Sequence, residues 1–387
     1  MPKAATHEYF RLFFETAQAI ISAGNLQATL DSLVQRSVAA LELKAGILRL
    51  IDEESNSLKQ VSSFGLSSTY LNKGPLNADQ SIPEVLGGKP VCIKNAYDDP
   101  RLQYPEAMRT EGLNTVLSVP VIAGEKVIGV LRLYSAVPRD FSAHELEFVS
   151  ALAEMGGLAI VNARFTKEEG DKLAALFAEI GVDQPTAMEI KDPQLEVPVV
   201  HSLDPVKSLD YFRTLHEVTR AILSTRDSKQ VMQLIVEQVI RIMRVKASAL
   251  RLRNETTHEL ELIASSGLSP KFLNKGKPHT DQSIAETLTG KPVLVLDTAH
   301  DPRLEYPAET VAEGIKSLFS MPIFARQRVV GVLRLYSSEE RRYSPEEITF
   351  LLALAEIAGV AIMNARLYES TRNDLSFWAA TLGYMQD

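Results

Sequence analysis

Short apolar runs alternate with segments of helical spacing along the first third of the chain. His7–Ser22 and Leu26–Leu41 have apolar residues three and four positions apart, which predicts two helices. Ala45–Asp52 and Ser57–Gly65 are short runs rich in Ile, Leu and Val, divided by the polar turn Glu53–Asn56. Runs of this length and composition predict two neighbouring strands.

The pattern then continues through a short strand, a loop, a hairpin and a closing helix. Lys89–Ile93 predicts a strand, Glu106–Glu111 a helix, and Thr115–Ser135 two strands joined by a tight turn. Ser142 precedes Glu145 by three residues, the spacing of a capping box at a helix N-terminus. This order of elements predicts an α+β fold, an antiparallel sheet with helices packed against it.

The whole pattern is written twice. The sequence GVLRLYS at Gly129–Ser135 recurs 202 residues later at Gly331–Ser337, and the same displacement aligns the two halves without a gap from Tyr9 to Arg164. A period this long predicts tandem domains, because solenoid repeats are much shorter. The predicted parts are a first domain with flanking helices at 1–180, a proline-rich linker at 181–206, a second domain at 207–370 and a C-terminal helical tail at 371–387.

Composition narrows the classes of function. The 387 residues have a formal net charge of −8 and one cysteine, Cys92. The negative charge argues against a nucleic-acid partner, and a single cysteine excludes an intrachain disulfide or a CxxC metal site. Leu294 replaces Cys92 in the second copy, so we expect Cys92 to fill the core.

We expect a cytoplasmic protein with no membrane span, because no long uncharged apolar stretch is present. The seven histidines lack metal-ligand spacing, and no glycine-rich phosphate loop occurs, so no metal or cofactor is predicted.

The second half of each copy resembles a known family. Residues 111–165 and 313–368 share a hairpin, a GVL strand, an aromatic-Ser-x-x-Glu turn and a helix that ends in Asn-Ala-Arg. This combination is similar to the C-terminal half of a GAF domain. The resemblance implies an antiparallel six-stranded sheet with helices on both faces, a small-molecule pocket on one face and dimerisation through helices on the other. It is specific for the fold and not for a ligand.

Arginines stand inside the two strands that the resemblance makes neighbours at the sheet centre. Arg49 shares a strand face with Ile47 and Ile51, and Arg132 shares one with Val130 and Tyr134. Arg251, Arg334 and Tyr336 repeat this arrangement in the second copy. A covered guanidinium needs a counter-charge, since burying an isolated charge costs several kcal/mol or more.

Two interpretations of the arginines stay open from the sequence. The first is a structural ion pair, because acidic residues recur in both copies: Asp79, Glu84, Asp99 and Glu111 match Asp281, Glu286, Asp301 and Glu313. The second is an anion-recognising pocket, in which the planar guanidinium binds a carboxylate or phosphate through two hydrogen bonds.

Three further motifs carry candidate ligand contacts. Arg101 and Arg303, in the repeated DPRL, are predicted either to rim the pocket or to hold their own loop. Asp79 with Ser81, and Asp281 with Ser283, in the repeated DQSI, fit either the pocket or a helix N-cap. Lys73 and Lys275, in the repeated LNKG, are predicted to be solvated.

We therefore expect a cytoplasmic sensor without enzymatic activity. GAF-like methionine sulfoxide reductases need several cysteines, and no nucleophile, metal site or cofactor loop is visible here. The sensor would bind a small molecule, with an anion as one class, and signal through a separate output protein. The alternative is a ligand-free scaffold for dimerisation and protein docking.

Two more expectations concern assembly and symmetry. The terminal helices, and a tail that contains Phe377 and Trp378, predict a homodimer or another partner surface. The copies differ before DQSI, where Leu76 and Ala78 give way to Pro278 and Thr280, so we expect them to bind ligand unequally.

Overall fold

The chain forms two compact units, Met1–Val182 and Asp183–Asp387. The computed structural model describes residues 26–52, 54–77, 82–124, 126–180, 205–225, 227–254, 256–257, 259–274, 276, 285–325 and 328–363. The predicted helix at His7–Ser22 and the predicted tail at 371–387 lie outside these residues, as does the linker up to 204.

The first domain places five strands and five helices among its described residues. In chain order they are α1 Leu26–Ala40, β1 Ala45–Asp52, β2 Ser57–Phe64, α2 Ser68–Leu71, α3 Pro83–Leu86, β3 Val91–Ile93, α4 Pro105–Glu111, β4 Thr115–Ala123, β5 Lys126–Ser135 and α5 Ala143–Ile180. Nearly every predicted element is present within a residue or two of its predicted bounds.

These strands form one antiparallel sheet in the order β2-β1-β5-β4-β3. The central pair joins the first strand to the last, which brings together residues far apart in the sequence. Each residue of β1 has a fixed partner on β5, for example Ile47 opposite Arg132 and Arg49 opposite Val130. Since side chains alternate between faces along a strand, this register decides which side chains meet.

The sheet has two different faces. We call the helix face the one against which α1 and α5 pack. A Cβ added to Gly46 would lie 2.8 Å from Val38 of α1, so Gly46 belongs to this face. Its neighbours Ala45 and Ile47 point to the opposite side, which α3 and the loops around it cover. We call that side the covered face.

The sheet has five strands among the described residues, and not the six that the resemblance implies. The segment before α3 meets β2 through one isolated bridge, between Ser57 and Asn77, and one further bond from the Leu58 amide to the Leu76 carbonyl. Pro75 precedes this contact and has no amide hydrogen to donate. Among the residues described here, the sixth strand of this domain is therefore reduced to a bridge.

The second domain repeats the same architecture. Its elements are α6 Pro205–Ser224, α7 Ser228–Met243, β6 Ala247–Arg253, β7 Leu260–Ser266, α8 Pro270–Leu273, α9 Ala285–Leu288, β8 Val293–Val295, α10 Pro307–Ala312, β9 Ser317–Ala325, β10 Arg328–Ser337 and a closing helix, α11, at 345–363. The sheet order β7-β6-β10-β9-β8 matches that of the first domain.

Both predicted capping boxes are confirmed. The Glu145 carboxylate accepts from the Ser142 amide at 2.7 Å, and the Glu145 amide donates to the Ser142 hydroxyl at 3.2 Å. Ser344 and Glu347 make the same pair of bonds at 3.0 and 3.3 Å. Each box fixes the start of the closing helix.

The prediction that Cys92 fills the core is wrong. Cys92 is an exposed free cysteine in the short strand β3, while the next residue, Ile93, is buried. Because alternate residues of a strand point to opposite sides, only one of these neighbours can face the covered-face core.

Gly157 lets α5 lie directly on the hairpin. A Cβ at Gly157 would lie 2.0 Å from the Ile122 carbonyl oxygen. We expect Gly157→Ala to destabilise the chain by about 1–3 kcal/mol through this overpacking, although alanine is the better helix former. The control is Gly156→Ala, where the added Cβ meets only the Leu33 side chain and where the second domain already carries Ala358. Urea unfolding should separate the two variants, and equal stabilities would contradict this account.

Candidate functional site

The site is built on the two central strands of each sheet. On the covered face, Ala45 lies opposite Tyr134, Ile47 opposite Arg132 and Arg49 opposite Val130. The apolar side chains of this set belong to one buried cluster. The two arginines therefore project from adjacent strands into the same covered space. The second domain gives Arg251 and Arg334 the same positions.

All four arginines are buried. Their exposed fractions are 5% for Arg49, 6% for Arg132, 2% for Arg251 and 4% for Arg334. Burial, reinforced by the charge of Arg49, holds the pKa of Arg132 below its ordinary value. The same causes, with Arg251 as the neighbour, lower the pKa of Arg334. Two like charges in a covered space raise the free energy of the folded state unless negative charge reaches them.

Several polar atoms at this site have no hydrogen-bond partner among the described residues. In the first domain they are Nη1 of Arg49 and Oγ of Ser118, which lies opposite Arg132 on β4. In the second domain they are Nε and Nη2 of Arg251 and Oγ of Ser320. The remaining bond of Arg251 runs from Nη1 to the Leu260 carbonyl at 3.3 Å. Buried donors without partners are uncommon in folded proteins, so these atoms are candidate contacts for a ligand.

Most of the carboxylates that could neutralise the first arginine pair bind elsewhere. Asp99 and Glu84 both pair with Arg101, at 2.7 and 3.0 Å. Glu111 accepts from the amide and hydroxyl of Ser67 at 2.7 and 2.5 Å. Asp79 lies outside the described residues, as does Ser81.

The corresponding carboxylates of the second domain are occupied in the same way. Asp301 and Glu286 pair with Arg303 at 2.6 and 3.3 Å, and Glu313 binds Ser269. Asp281 and Ser283 lie outside the described residues. Arg303, like Arg101 in the first domain, thus holds its own loop through local carboxylates.

Tyrosines line the first site beside the arginines. The Tyr70 hydroxyl donates to the Tyr134 oxygen at 3.4 Å, and the two rings meet edge to face. Burial alone would raise the pKa of Tyr134, but Arg49 and Arg132 together hold it below its ordinary value. The pKa of Tyr70 is raised by burial. The phenol oxygen of Tyr134 is therefore the described group that best stabilises the guanidinium charges.

Lys73 is a member of this site that the sequence reasoning missed. Its Nζ lies 3.7 Å from the centre of the Tyr70 ring and donates to the Tyr70 carbonyl at 3.1 Å. Burial, followed by the charges of Arg49 and Arg132, lowers the pKa of Lys73 to about 7. The only sequence signal was the recurrence of LNKG, which also fits a solvated turn.

Other kinds of site find no support in the part of the chain that the structure describes. No group of three or more His, Cys, Asp or Glu side chains there is arranged to hold a metal ion. Among the helices described, none is long and apolar enough to cross a bilayer.

Comparison with models of protein families shows which family this chain belongs to. The family model described as "GAF domain" matches residues 23–161 and again 225–363, which together make up most of the chain. This chain belongs to the GAF domain family. GAF domains are small-molecule sensing modules of signalling proteins, and this chain contains two domains of that family.

Relatives in sequence are signalling proteins. The chain is 25% identical over 172 residues to the formate hydrogenlyase transcriptional activator of Salmonella typhimurium, covering 41% of this chain and 24% of that protein. It is 22% identical over 357 residues to an uncharacterized sensor-like histidine kinase of Chloroflexus aurantiacus, covering 86% of this chain and 59% of the kinase. The chain thus spans about a quarter of the activator and less than two thirds of the kinase.

Solved structures with a similar domain include GAF domains of varied proteins. One is the GAF domain of a phosphoenolpyruvate-protein phosphotransferase from Coxiella burnetii, with 20% identity, a TM-score of 0.39, and coverage of 42% of this chain and 98% of that one. Another is free methionine-R-sulfoxide reductase from Neisseria meningitidis, with 16% identity, a TM-score of 0.36, and coverage of 44% and 98%.

Lys73 makes the stability of the first domain depend on pH. Its pKa falls from 10.5 in the unfolded chain to about 7 in the folded protein. The unfolded state therefore binds the proton more readily, and the lysine lowers stability progressively as pH falls from about 10 towards 7. We expect Lys73→Met to reduce this dependence, as measured by urea unfolding across that range. Parallel pH profiles for the variant and the natural protein would contradict the assignment.

Proposed function

We propose that this protein is a cytoplasmic sensor whose GAF domains each bind a small anion between the paired arginines. The observation that carries the proposal is the set of buried guanidinium nitrogens of Arg49 and Arg251 without partners among the described residues. A bound carboxylate or phosphate would supply both the missing acceptors and the missing negative charge. The protein itself would catalyse no reaction.

The ligand would act by linking the two central strands to the segment after α2, which lies over the covered face. Arg49 lies on β1 and Arg132 on β5, while Lys73 lies in the segment that follows α2. An anion that contacts all three cations would draw this segment towards the sheet. Since ligand binding stabilises the state that binds it, the cover would become better ordered and could report occupancy to a partner.

The output is proposed to be a separate protein. The sequence relatives are a transcriptional activator and a sensor-like histidine kinase, of which this chain spans only a part. Their names support a role in signalling, and the direction of the response is a matter for experiment.

A ligand-free scaffold is the second candidate. It is favoured by the apolar cluster on the covered face of the first domain, where Ile82 and Tyr134 are almost completely buried. A scaffold would fill this face with its own side chains and would need no anion.

Substitution of the arginines separates an anion site from structural ion pairs. We expect the double variant Arg49→Met/Arg251→Met to be as stable as the natural protein or more stable in anion-poor buffer, because a like-charge repulsion disappears in each domain. If the arginines were structural ion pairs, the loss would instead be about 3–5 kcal/mol for each. Urea unfolding of the full chain measures the difference.

The same variant tests binding. Formate, acetate and inorganic phosphate are the probes, and we expect at least one of them to raise the melting temperature of the natural protein and not that of the double variant. The control is Arg101→Met/Arg303→Met, whose guanidiniums already bind carboxylates of their own loops. An equal response of all three proteins would contradict the proposal.

The assembly is proposed to be a homodimer joined through terminal helices. We expect light scattering to give the mass of a dimer for the intact chain at micromolar concentration. Removal of residues 372–387, which contain Phe377 and Trp378, should weaken the dimer or the binding of a partner, because a large aromatic pair is a typical anchor of an interface. A monomeric intact chain would contradict this part of the proposal.

A further inference from the structure

The covered faces of the two domains differ at several positions around the arginines. The arginine pair and its tyrosine are kept, and so are Ser118 and Ser320 beside them. Three of the changes lie at positions equivalent to members of the first domain's apolar cluster or to residues packed against it, and the fourth replaces Gln103. They therefore alter what surrounds the charged end of a ligand and not the charged end itself.

One change replaces an aliphatic side chain by a smaller one, and another replaces an aliphatic side chain by one with a hydroxyl group. Ile47, directly opposite Arg132, becomes Ala249, directly opposite Arg334. Val85, 1% exposed on α3, becomes Thr287, which is fully buried on α9 and packs towards β9 and β10. Oγ1 of Thr287 has no hydrogen-bond partner among the described residues. A buried hydroxyl of this kind is costly unless a polar group reaches it.

Two further changes add a pair of opposite charges. Ile51, packed against the apolar cluster, becomes Arg253. Gln103 becomes Glu305, whose charge acts on Arg334. One cation and one anion are gained together, so the formal charge around the second site is unchanged. The second site gains these charged groups and the Thr287 hydroxyl, and it loses one hydroxyl, because Tyr70 of the first site becomes Phe272.

We propose that the two domains select different anions: the first binds an anion with an aliphatic body, and the second binds an anion whose body carries hydroxyl groups. This inference rests on the proposed function, in which the arginine pairs hold the anionic end. Ala249 is smaller than Ile47, and Thr287 offers a buried hydroxyl that bonds no described residue. Arg253 and Glu305, which have interactions of their own, add polar groups around the site. In the first domain Ile47, Ile51 and Val85 offer none.

We expect the second domain to discriminate more strongly against a ligand without hydroxyl groups than the first domain does against a hydroxylated one. A site built to hydrogen-bond hydroxyl groups rejects an analogue that lacks them, because its own buried polar groups are left unpaired. The aliphatic site of the first domain rejects a hydroxylated ligand through the cost of removing those hydroxyls from water. Each domain is thus expected to prefer its own class by about tenfold or more.

Butanoate and 2,3,4-trihydroxybutanoate are matched probes, because they share chain length and charge and differ only in hydroxyl groups. Hydrogen-exchange mass spectrometry of the full chain reads the domains separately, through peptides from β1 and β5 and from β6 and β10. We expect butanoate to protect the first set at lower concentration and trihydroxybutanoate to protect the second.

A variant that transplants the first site into the second provides the direct test. Ala249→Ile/Arg253→Ile/Thr287→Val gives the second domain residues that already pack in the same fold, and it leaves Arg251 and Arg334 in place. We expect its second domain to prefer butanoate while the first domain is unchanged. Circular dichroism and natural-like hydrogen-exchange protection of the β6 and β10 peptides show that the second domain of the variant is folded.

The outcomes distinguish this inference from the proposed function. Protection of both domains with the same order of preference, dependent on Arg49 and Arg251, overturns the inference and leaves the anion-binding function standing. Protection of neither domain by either probe, up to tens of millimolar, overturns the proposed function and the inference with it.

Discussion

Two guanidinium groups lie side by side under the cover of each sheet, and their mutual repulsion is the constraint on which the site depends. The hydrophobic cluster that surrounds Arg49 and Arg132 offers them little solvation. The carboxylates of Glu84, Asp99 and Glu111 bind Arg101 or Ser67 instead. The folded protein carries this cost in both domains, reduced in the first by Tyr134 and in the second by Tyr336 and Glu305. We propose that an external anion offsets this cost, because guanidiniums that repel each other would bind its negative charge strongly.

The rest of the fold holds this site in place. The pairing of β1 with β5 fixes the two arginines on adjacent strands, and the helices on the opposite face leave the covered face to short helices and loops. Arg101 ties one of these loops together through Asp99 and Glu84. These ion pairs hold that loop together, and Lys73 lies beside Tyr70, where the charges of Arg49 and Arg132 act on it.

The sequence predicted most of the fold because local signals were strong. The strand Ala45–Asp52 and both capping boxes rest on patterns within a few residues, and duplication let each copy support the other. The position of Lys73 depended instead on where the loop after α2 packs, which is a tertiary effect. The prediction for Cys92 was wrong for a related reason. The run Val91–Ile93 is too short to indicate which of its alternate residues face the core.

The central claim is that negative charge reaches the arginines from outside the chain. The most direct measurement is a crystal structure of the full chain grown with formate or phosphate, at a resolution that shows hydrogen-bond geometry. The account predicts density for an anion in contact with Arg49 and Arg132, and with Arg251 and Arg334. A carboxylate of the protein bound between the guanidiniums of each pair would contradict it.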